Sequence, residues 1–148
     1  MQPITLTAKQ IVGHVVRTDN QLESQQPSQK IAPMWQGFMS QYGQSLYQKH
    51  EVYGVYFDYE SDHTGSYSAL AGAASGVIEG SELHPCAIAP GQYLKFTAQG
   101  KMPDVVVNLW QDVWQYFADA ECQYQRAFDT DFECYTSADS VDIYIGIH

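Results

Sequence analysis

The stretch FDTDFECY, residues 128–135, concentrates the side chains most able to do chemistry. In a β-strand, alternation places Asp129, Asp131 and Glu133 in one row, which Tyr135 continues. Such a row is compatible with four kinds of site: a solvated strand edge, a metal site, a catalytic acid, or one buried anion that awaits a cationic ligand. The elements that position the row must decide among them.

The charge balance disfavours two classes of partner. The chain of 148 residues has 7 Lys plus Arg against 17 Asp plus Glu, which gives a formal net charge of -10. No segment gathers the basic residues into a patch, and both nucleic acid and anionic membrane surfaces require clustered cations. We therefore expect no direct nucleic-acid partner and no membrane partner.

The cysteines and the N-terminal residues bear on the cellular compartment of the protein. Cys86, Cys122 and Cys134 are odd in number and far apart, and no CxxC pair occurs, so we interpret them as free thiols in a reducing compartment. The first residues, MQPITLTAKQ, lack a signal-peptide pattern, and no apolar run reaches membrane-spanning length. We expect a cytoplasmic protein with one domain over residues 1–148.

Common catalytic and metal motifs are missing from the sequence. The five histidines show no HxH or HxxxH spacing, and a metal prefers ligands that converge from several elements. GxSxG, Walker-type and Rossmann patterns do not occur. We accordingly predict no metal, no cofactor and no catalytic residue.

One structural unit is written twice. WQGFMSQY, residues 35–42, and WQDVWQYF, residues 110–117, lie 75 positions apart and place apolar residues at helical spacing. A strand-like run after a glycine precedes each helix, and two strand-like runs follow it. The order is β-α-β-β in both copies, with repeat one at about 4–77 and repeat two at about 84–148.

A repeat of this length predicts pseudo-two-fold symmetry, because one unit has too few strands to shield its helix. The predicted fold class is α+β, with one antiparallel sheet and two helices on one face. The join lies at residues 75–85, which are rich in turn-forming types. The polar stretch at residues 18–30 is predicted to be a mobile loop over one helix end.

Comparison of the two repeats points to Glu133. Superposing YFDY, residues 56–59, on FECY, residues 132–135, places Glu133 where the first copy has Phe57, so the position is predicted to be internal. A buried carboxylate is costly unless it is paired, and the nearest cation in sequence is Arg126. An anion without a protein partner favours a bound cation, whereas an ordinary solvated or hydrogen-bonded acid is the alternative. Asp129 and Asp131 are predicted to lie in water on the loop that leads into the strand.

The paired tryptophans allow two readings. Trp35 and Trp110 lie on apolar helix faces, where repeat-related tryptophans are ordinary core residues. Alternatively they form the walls of a cleft between the two helices, with Glu133 as its floor. The repeat and the strand alternation add three further candidate wall residues, Phe38, Phe57 and Tyr135.

The chain resembles a known family. YLKFTAQGKMPDVVVNLWQDVW at residues 93–114, with DFECY and the VDIYIGI ending, is similar to gyrase-inhibitor-like proteins and to the effector-binding domains of bacterial transcription activators. In the first half VGHVVRT, IAPMWQGF and VYFDYESDHTGSY follow in the expected order. The resemblance covers nearly the whole chain and is close to the stand-alone versions encoded on mobile gene cassettes.

The resemblance implies a cleft at the pseudo-two-fold axis that binds bulky, often cationic, aromatic drugs. The family's buried glutamate maps onto Glu133, and the tryptophan of its second helix maps onto Trp110. Regulatory relatives carry a helix-turn-helix domain for which this chain has no room, so a role in transcription would require a partner chain.

The predicted function is therefore a multidrug binding module for cationic, hydrophobic small molecules, as a monomer or weak homodimer. Two alternatives stay open: a small-molecule hydrolase that uses Glu133 with a pocket tyrosine, and a gyrase-inhibitor-type module with a topoisomerase partner.

Overall fold

The computed structural model describes residues 1–148 and contains eight β-strands and three α-helices. In chain order they are β1 (Ile4–Leu6), β2 (Lys9–Asp19), α1 (Asn20–Glu23), a 3₁₀ helix (Gln26–Ser28), α2 (Ile31–Leu46), β3 (Val52–Phe57), β4 (Ser66–Ala74), β5 (His84–Ile88), β6 (Gly91–Gln99), α3 (Asp104–Ala118), β7 (Arg126–Ser137) and β8 (Ser140–Ile147). All strands form one antiparallel sheet in the order β1-β6-β8-β7-β3-β4-β2-β5. The predicted α+β class is confirmed.

The strand order has two-fold character. β3 and β7 lie side by side at the centre, β4 and β8 flank them, and β2 and β6 come next. Each of these pairs holds the same place in its repeat. The pseudo-two-fold axis therefore passes between β3 and β7, where Gly54 lies opposite Glu133.

The outermost strands are exchanged between the repeats. β1 precedes β2 in the chain but pairs with β6, with Ile4 opposite Tyr93. β5 precedes β6 but pairs with β2, where Cys86 lies opposite Ile11. Neither β1 nor β5 is predicted by the sequence patterns described above. Each repeat therefore supplies the edge strand of the other, and the two halves are tied together by backbone hydrogen bonds.

Both long helices pack on one face of the sheet. The α2 side buries Phe38 and Leu46 against alanines of β4, whose small side chains allow the helix to approach closely. The α3 side buries Leu109 and Val113 against isoleucines of β8. The alternation of β3, β4 and β8 thus presents one row of residues to the helices.

The opposite face carries a second hydrophobic core. Its buried members include Ile11 and Val55, with Leu70, Ile88 and Phe132. The sheet curls, so that β5 comes near β7 although three strands separate them in the sheet. Because the centre of β7 is covered on both faces, residues of either parity are buried there.

The segment predicted to be a mobile loop instead contains two short helices. In α1, the carboxylate of Glu23 accepts hydrogen bonds from the hydroxyl of Thr18 at 2.7 Å and from the backbone N–H groups of Lys30 at 2.9 Å and Ile31 at 3.2 Å. These N–H groups belong to the start of α2, which has no side-chain cap of its own. None of the three helices combines the length and apolarity that crossing a membrane requires.

Candidate functional site

The central strands provide the floor of a cleft between α2 and α3. On the helix-facing side, Glu133 of β7 lies opposite Gly54 of β3, and Asp131 lies opposite Tyr56. A Cβ atom on Gly54 would lie 2.6 Å from Glu133 Oε1 and 3.0 Å from Trp35 Cζ2. The glycine therefore makes the space in which the carboxylate and the indole meet.

Glu133 is buried and receives hydrogen bonds from neutral groups only. Its side chain belongs to a residue that is 3% exposed. Oε2 accepts from Trp110 Nε1 at 2.7 Å and from the Tyr56 hydroxyl at 2.9 Å, while Oε1 accepts from the Tyr135 hydroxyl at 2.8 Å. The ion pairs of the molecule all involve other acids. An ionised Glu133 thus has no compensating positive charge from the protein.

Burial sets the protonation behaviour of this group. It raises the pKa of Glu133 above the ordinary value of 4.5, and the hydrogen bonds from Trp110, Tyr135 and Tyr56 oppose that rise. The pKa values of Tyr56 and Tyr135 are raised in turn, first by burial and then by the charge of Glu133. Both tyrosines therefore stay protonated and act as donors.

The prediction that Asp131 lies in water is wrong. Asp131 is 0% exposed and accepts from Arg126 Nη2 at 2.6 Å, from the Tyr59 hydroxyl at 2.5 Å and from the Gly146 N–H at 3.0 Å. The reason is an irregularity in β7, whose pairing register shifts between Arg126 and Asp131. Arg126 folds back onto Asp131 and so is not available to Glu133.

The irregularity also breaks the predicted row of acids. Phe128 has a φ of 52°, in the left-handed region, just before Asp129. Asp129 is exposed, as predicted. The three carboxylates consequently lie in three environments, which are solvent, an ion pair, and an uncompensated buried position.

Aromatic rings flank Glu133 on both sides. Tyr56 and Trp110 form an edge-to-face pair with centroids 5.5 Å apart at Oε2. Trp35 and Tyr135 form a second such pair, also at 5.5 Å, on the side of Oε1. Edge-to-face packing of this kind is a favourable arrangement of rings. The carboxylate of Glu133 therefore lies between two aromatic pairs, with one pair at each oxygen.

A cavity of about 310 Å³, the inner cavity, adjoins the Tyr56–Trp110 pair. It is lined mainly by aromatic and aliphatic residues, including Ile31, Tyr59, Tyr67, Val107 and Trp114. A wider cavity of about 970 Å³, the outer cavity, shares Asn20, Glu23, His63, Trp114 and Arg126 with it. The α1 segment therefore forms part of the wall of both cavities, and the Tyr67 hydroxyl donates a hydrogen bond to Asn20 at 2.8 Å.

A third cavity lies on the Trp35–Tyr135 side and has a volume of about 900 Å³. We call it the far groove. Its lining includes Met39, Val52 and Val106 with the two aromatic residues.

The structure brings four of the predicted site residues together: Glu133, Trp110, Trp35 and Tyr135. Their role in ligand binding stays a prediction. The placement of Phe57 is wrong, because its side chain packs in the core on the opposite face of the sheet. The repeat superposition was off by one residue, and a shift of one reverses the face of a strand.

Phe38 is a core residue rather than a cleft wall. It is 0% exposed and packs against Tyr42, with ring centroids 5.3 Å apart. Its centroid lies 6.4 Å from that of Trp35, so it supports the wall from behind.

Sequence reasoning missed Tyr56, Gly54 and Trp114. Tyr56 precedes Phe57 in the YFDY motif, and adjacent residues of a strand face opposite sides of the sheet. A superposition shifted by one residue would therefore have selected Tyr56 instead of Phe57. Knowledge of the β3–β7 register would have identified Tyr56 and Gly54 as neighbours of Glu133.

Comparison with known proteins identifies integron-associated proteins as similar to this chain. The family model of Cass2, an integron-associated effector binding protein, matches residues 4–147. The crystal structure of an integron cassette protein from the mobile metagenome of Vibrio cholerae is 37% identical, with a TM-score of 0.91, over 99% of this chain and 95% of that chain. Among curated protein sequences, none matches.

More distant structures share the fold. SAV2435, solved in complex with tetraphenylphosphonium, is 20% identical with a TM-score of 0.72 and covers 99% of this chain and 93% of that chain. A protein of Staphylococcus aureus MU50, described as one of bacterial transcription regulation, has the same identity and TM-score and covers 99% and 96%. At this identity the likeness concerns the fold alone.

Proposed function

This chain belongs to the Cass2 family of integron-associated effector-binding proteins, and we propose that it binds bulky hydrophobic organic cations in the cleft between α2 and α3. One observation carries the proposal: Glu133 is a buried carboxylate that the protein leaves without a cation. An ionised carboxylate away from water is costly unless a positive charge compensates it. A cationic ligand supplies that charge.

The walls fit the apolar part of such a ligand. Tyr56, Trp110 and Trp114 present aromatic surface to the inner cavity, and each good cation–π contact contributes about 0.5 to 2 kcal/mol. Glu133 lies behind Tyr56 and Trp110 and does not line the inner cavity, so direct contact with the carboxylate requires that a ligand displace one of these side chains. The complex of SAV2435 with tetraphenylphosphonium supports this ligand class.

Selectivity follows from the hydrogen bonds of Glu133. A ligand that displaces Trp110 or Tyr56 removes a donor from a buried carboxylate, and this loss is unfavourable. A cation compensates for the loss by direct attraction, whereas a neutral molecule of the same shape does not. The cleft therefore prefers positive charge among ligands of equal size.

The test compares two probes of similar shape, methyltriphenylphosphonium and neutral triphenylphosphine oxide, by isothermal titration calorimetry. We expect Glu133→Gln to weaken the cationic probe by about 10-fold to 100-fold, equivalent to about 1.4 to 2.7 kcal/mol. The neutral probe should change by less than about threefold. Equal losses for both probes would remove the electrostatic premise.

The glutamine variant is suited to this test because its neighbours can adapt. Its amide oxygen can accept from Trp110 and Tyr56, and its NH₂ group can donate to the Tyr135 hydroxyl, which also accepts. Asp129→Asn is the matched control, because it removes one exposed carboxylate of the same strand. This control should bind both probes as the wild type does, and a loss there would indicate a general effect of net charge.

A second candidate function is hydrolysis of a small molecule. It is favoured by the contact of Glu133, whose pKa is raised by burial, with two tyrosine hydroxyls, since a carboxylate and a phenol can act as base and acid. Product formation from a bound ester or epoxide that Glu133→Gln abolishes would favour this function. Binding without turnover would favour the module proposed above.

The finer role is drug sensing or regulation of transcription through a partner chain. Inhibition of a topoisomerase is the alternative, for which the net charge of -10 is the relevant feature. Co-purification with a transcription factor or with a topoisomerase distinguishes them. The three cysteines are unpaired, which supports the expected cytoplasmic location.

A further inference from the structure

The far groove is the symmetry mate of the inner cavity. Helix positions that line the inner cavity recur 75 residues away in the lining of the far groove. The matched positions are Ile31 and Val106, Trp110 and Trp35, and Trp114 and Met39. The duplication of the fold has therefore produced two cavities, one on each side of Glu133.

The two cavities differ in the charge that they offer. Glu133 lines neither cavity: Oε2 is covered by the Tyr56 hydroxyl and Trp110 on the side of the inner cavity, and Oε1 by the Tyr135 hydroxyl and Trp35 on the side of the far groove. The charged residues that line the inner cavity, Glu23 and Arg126, are half-buried and already bonded within the protein. The charged residues that line the far groove, Lys49, Glu51 and Asp139, are exposed and of mixed sign. Exposed charges are screened by water and select weakly.

The lining of the far groove is otherwise suited to apolar ligands. Met39 is 41% exposed and Tyr47 is 60% exposed. A ligand that covers these side chains removes their apolar surface from water, which favours binding. Methionine side chains adapt their shape to different ligands, and both Met39 and Met102 line this groove. A volume of about 900 Å³ lies in the range of small-molecule sites.

We propose that the far groove is a second ligand site, which takes neutral hydrophobic aromatic molecules while the inner cavity takes cations. This goes beyond the function proposed for the Glu133 cleft and does not depend on its ionisation. Glu133 and its donors separate the two sites, so both can be occupied in one molecule.

The test places a tryptophan in each cavity in turn. Met39→Trp narrows the far groove and introduces the residue that its symmetry mate Trp114 already has at that helix position. Val107→Trp narrows the inner cavity from an exposed position on α3 and is the matched control. Both sites are more than a third exposed, so the fold should tolerate either change, as circular dichroism can verify.

Calorimetry with triphenylphosphine oxide and methyltriphenylphosphonium then measures four affinities. We expect Met39→Trp to weaken the neutral probe by about fivefold or more and to leave the cationic probe within about twofold. Val107→Trp should do the reverse. A wild type that fails to bind the neutral probe, or neutral binding that only Val107→Trp weakens, would overturn the proposal.

Methionine methyl resonances of the wild type give a readout without any variant. The neutral probe should shift the signals of Met39 and Met102, which line the far groove, and leave that of buried Met34 unchanged. Unshifted Met39 and Met102 signals at saturation would contradict the second site. Loss of cation preference in Glu133→Gln is a separate observable, so failure of the cleft function is distinguishable from failure of the second site.

Discussion

Asp131 and Glu133 lie on the same side of β7, two residues apart, and are 0% and 3% exposed. Their electrostatic environments nevertheless differ. Asp131 is paired with Arg126 at 2.6 Å, whereas Glu133 has only neutral donors. Burial alone therefore does not decide whether an acid is charge-compensated within the protein. The position of Arg126 decides that Asp131 is ion-paired and that Glu133 is not.

The difference originates in the path of β7. Its irregularity between Arg126 and Asp131 lets the guanidinium turn back, with Cζ 4.4 Å from the centroid of Phe128. Glu133 lies beyond the irregularity, among Trp110, Tyr56 and Tyr135. The chain has only 7 Lys plus Arg, and none of them forms an ion pair with Glu133.

The largest effect should come from removing the internal cation of Asp131. Arg126→Gln leaves a fully buried carboxylate unpaired, and loss of one partner of a buried ion pair costs about 3 to 5 kcal/mol. Urea denaturation measures the free energy of unfolding. The double variant Arg126→Gln with Asp131→Asn should recover much of the loss, since no buried charge is left. A single variant as stable as the wild type would show that the ion pair does not stabilise the fold.

A smaller loss should follow from removing a donor of Glu133. Trp110→Phe keeps a ring in place but removes the indole N–H, and a hydrogen bond to a charged group contributes about 1.5 to 3 kcal/mol. Near neutral pH we expect a decrease of that size in the free energy of unfolding. Trp114→Phe is the control, because Trp114 is 51% exposed and forms no side-chain hydrogen bond. Equal losses in the two variants would assign the effect to ring packing.

The smallest effect should appear in the pH dependence of stability. Because burial raises the pKa of Glu133 in the folded protein, the native state holds this proton more tightly than the unfolded state does. Its contribution to stability is therefore complete below the ordinary value of 4.5 and is lost as pH rises through the raised pKa.

Thermal or urea unfolding from about pH 4.5 to about pH 8 tests this sign: the free energy of unfolding should fall as pH rises through the raised pKa of Glu133. Glu133→Gln should flatten that part of the profile, whereas Asp129→Asn should leave it unchanged. A wild-type profile that matches that of Glu133→Gln would mean that Glu133 has no raised pKa.

Much of the fold could be predicted from local pattern. Hydrophobic periodicity predicts the two helices that contain Trp-Gln and the strands that follow them. It does not predict β1 and β5, because segments of three and five residues are too short to show a period. Their pairing with the other repeat is also a long-range property. The polar segment at residues 18–30 has loop composition, yet Glu23 orders it by capping α2.

For the site, pattern and resemblance identified Glu133 and Trp110 but misplaced their surroundings. The sequence motifs place Phe57 in the cleft because the matching letters of the two repeats are one residue out of structural register. They place Asp131 in solvent because the irregularity of β7 has no mark in the sequence. Tyr56, the neighbour of Phe57, is the ring that contacts the carboxylate.

The sequence by itself determined that one unit is repeated, that helices and strands alternate in a known order, and that an acid stands among aromatic residues near the centre. These properties follow from side-chain types and short spacings along the chain. Only the tertiary structure decided that Arg126 pairs with Asp131 and leaves Glu133 to three neutral donors. The physical reason is that strand register and local irregularities depend on contacts between distant residues, and a shift of one residue exchanges the buried faces.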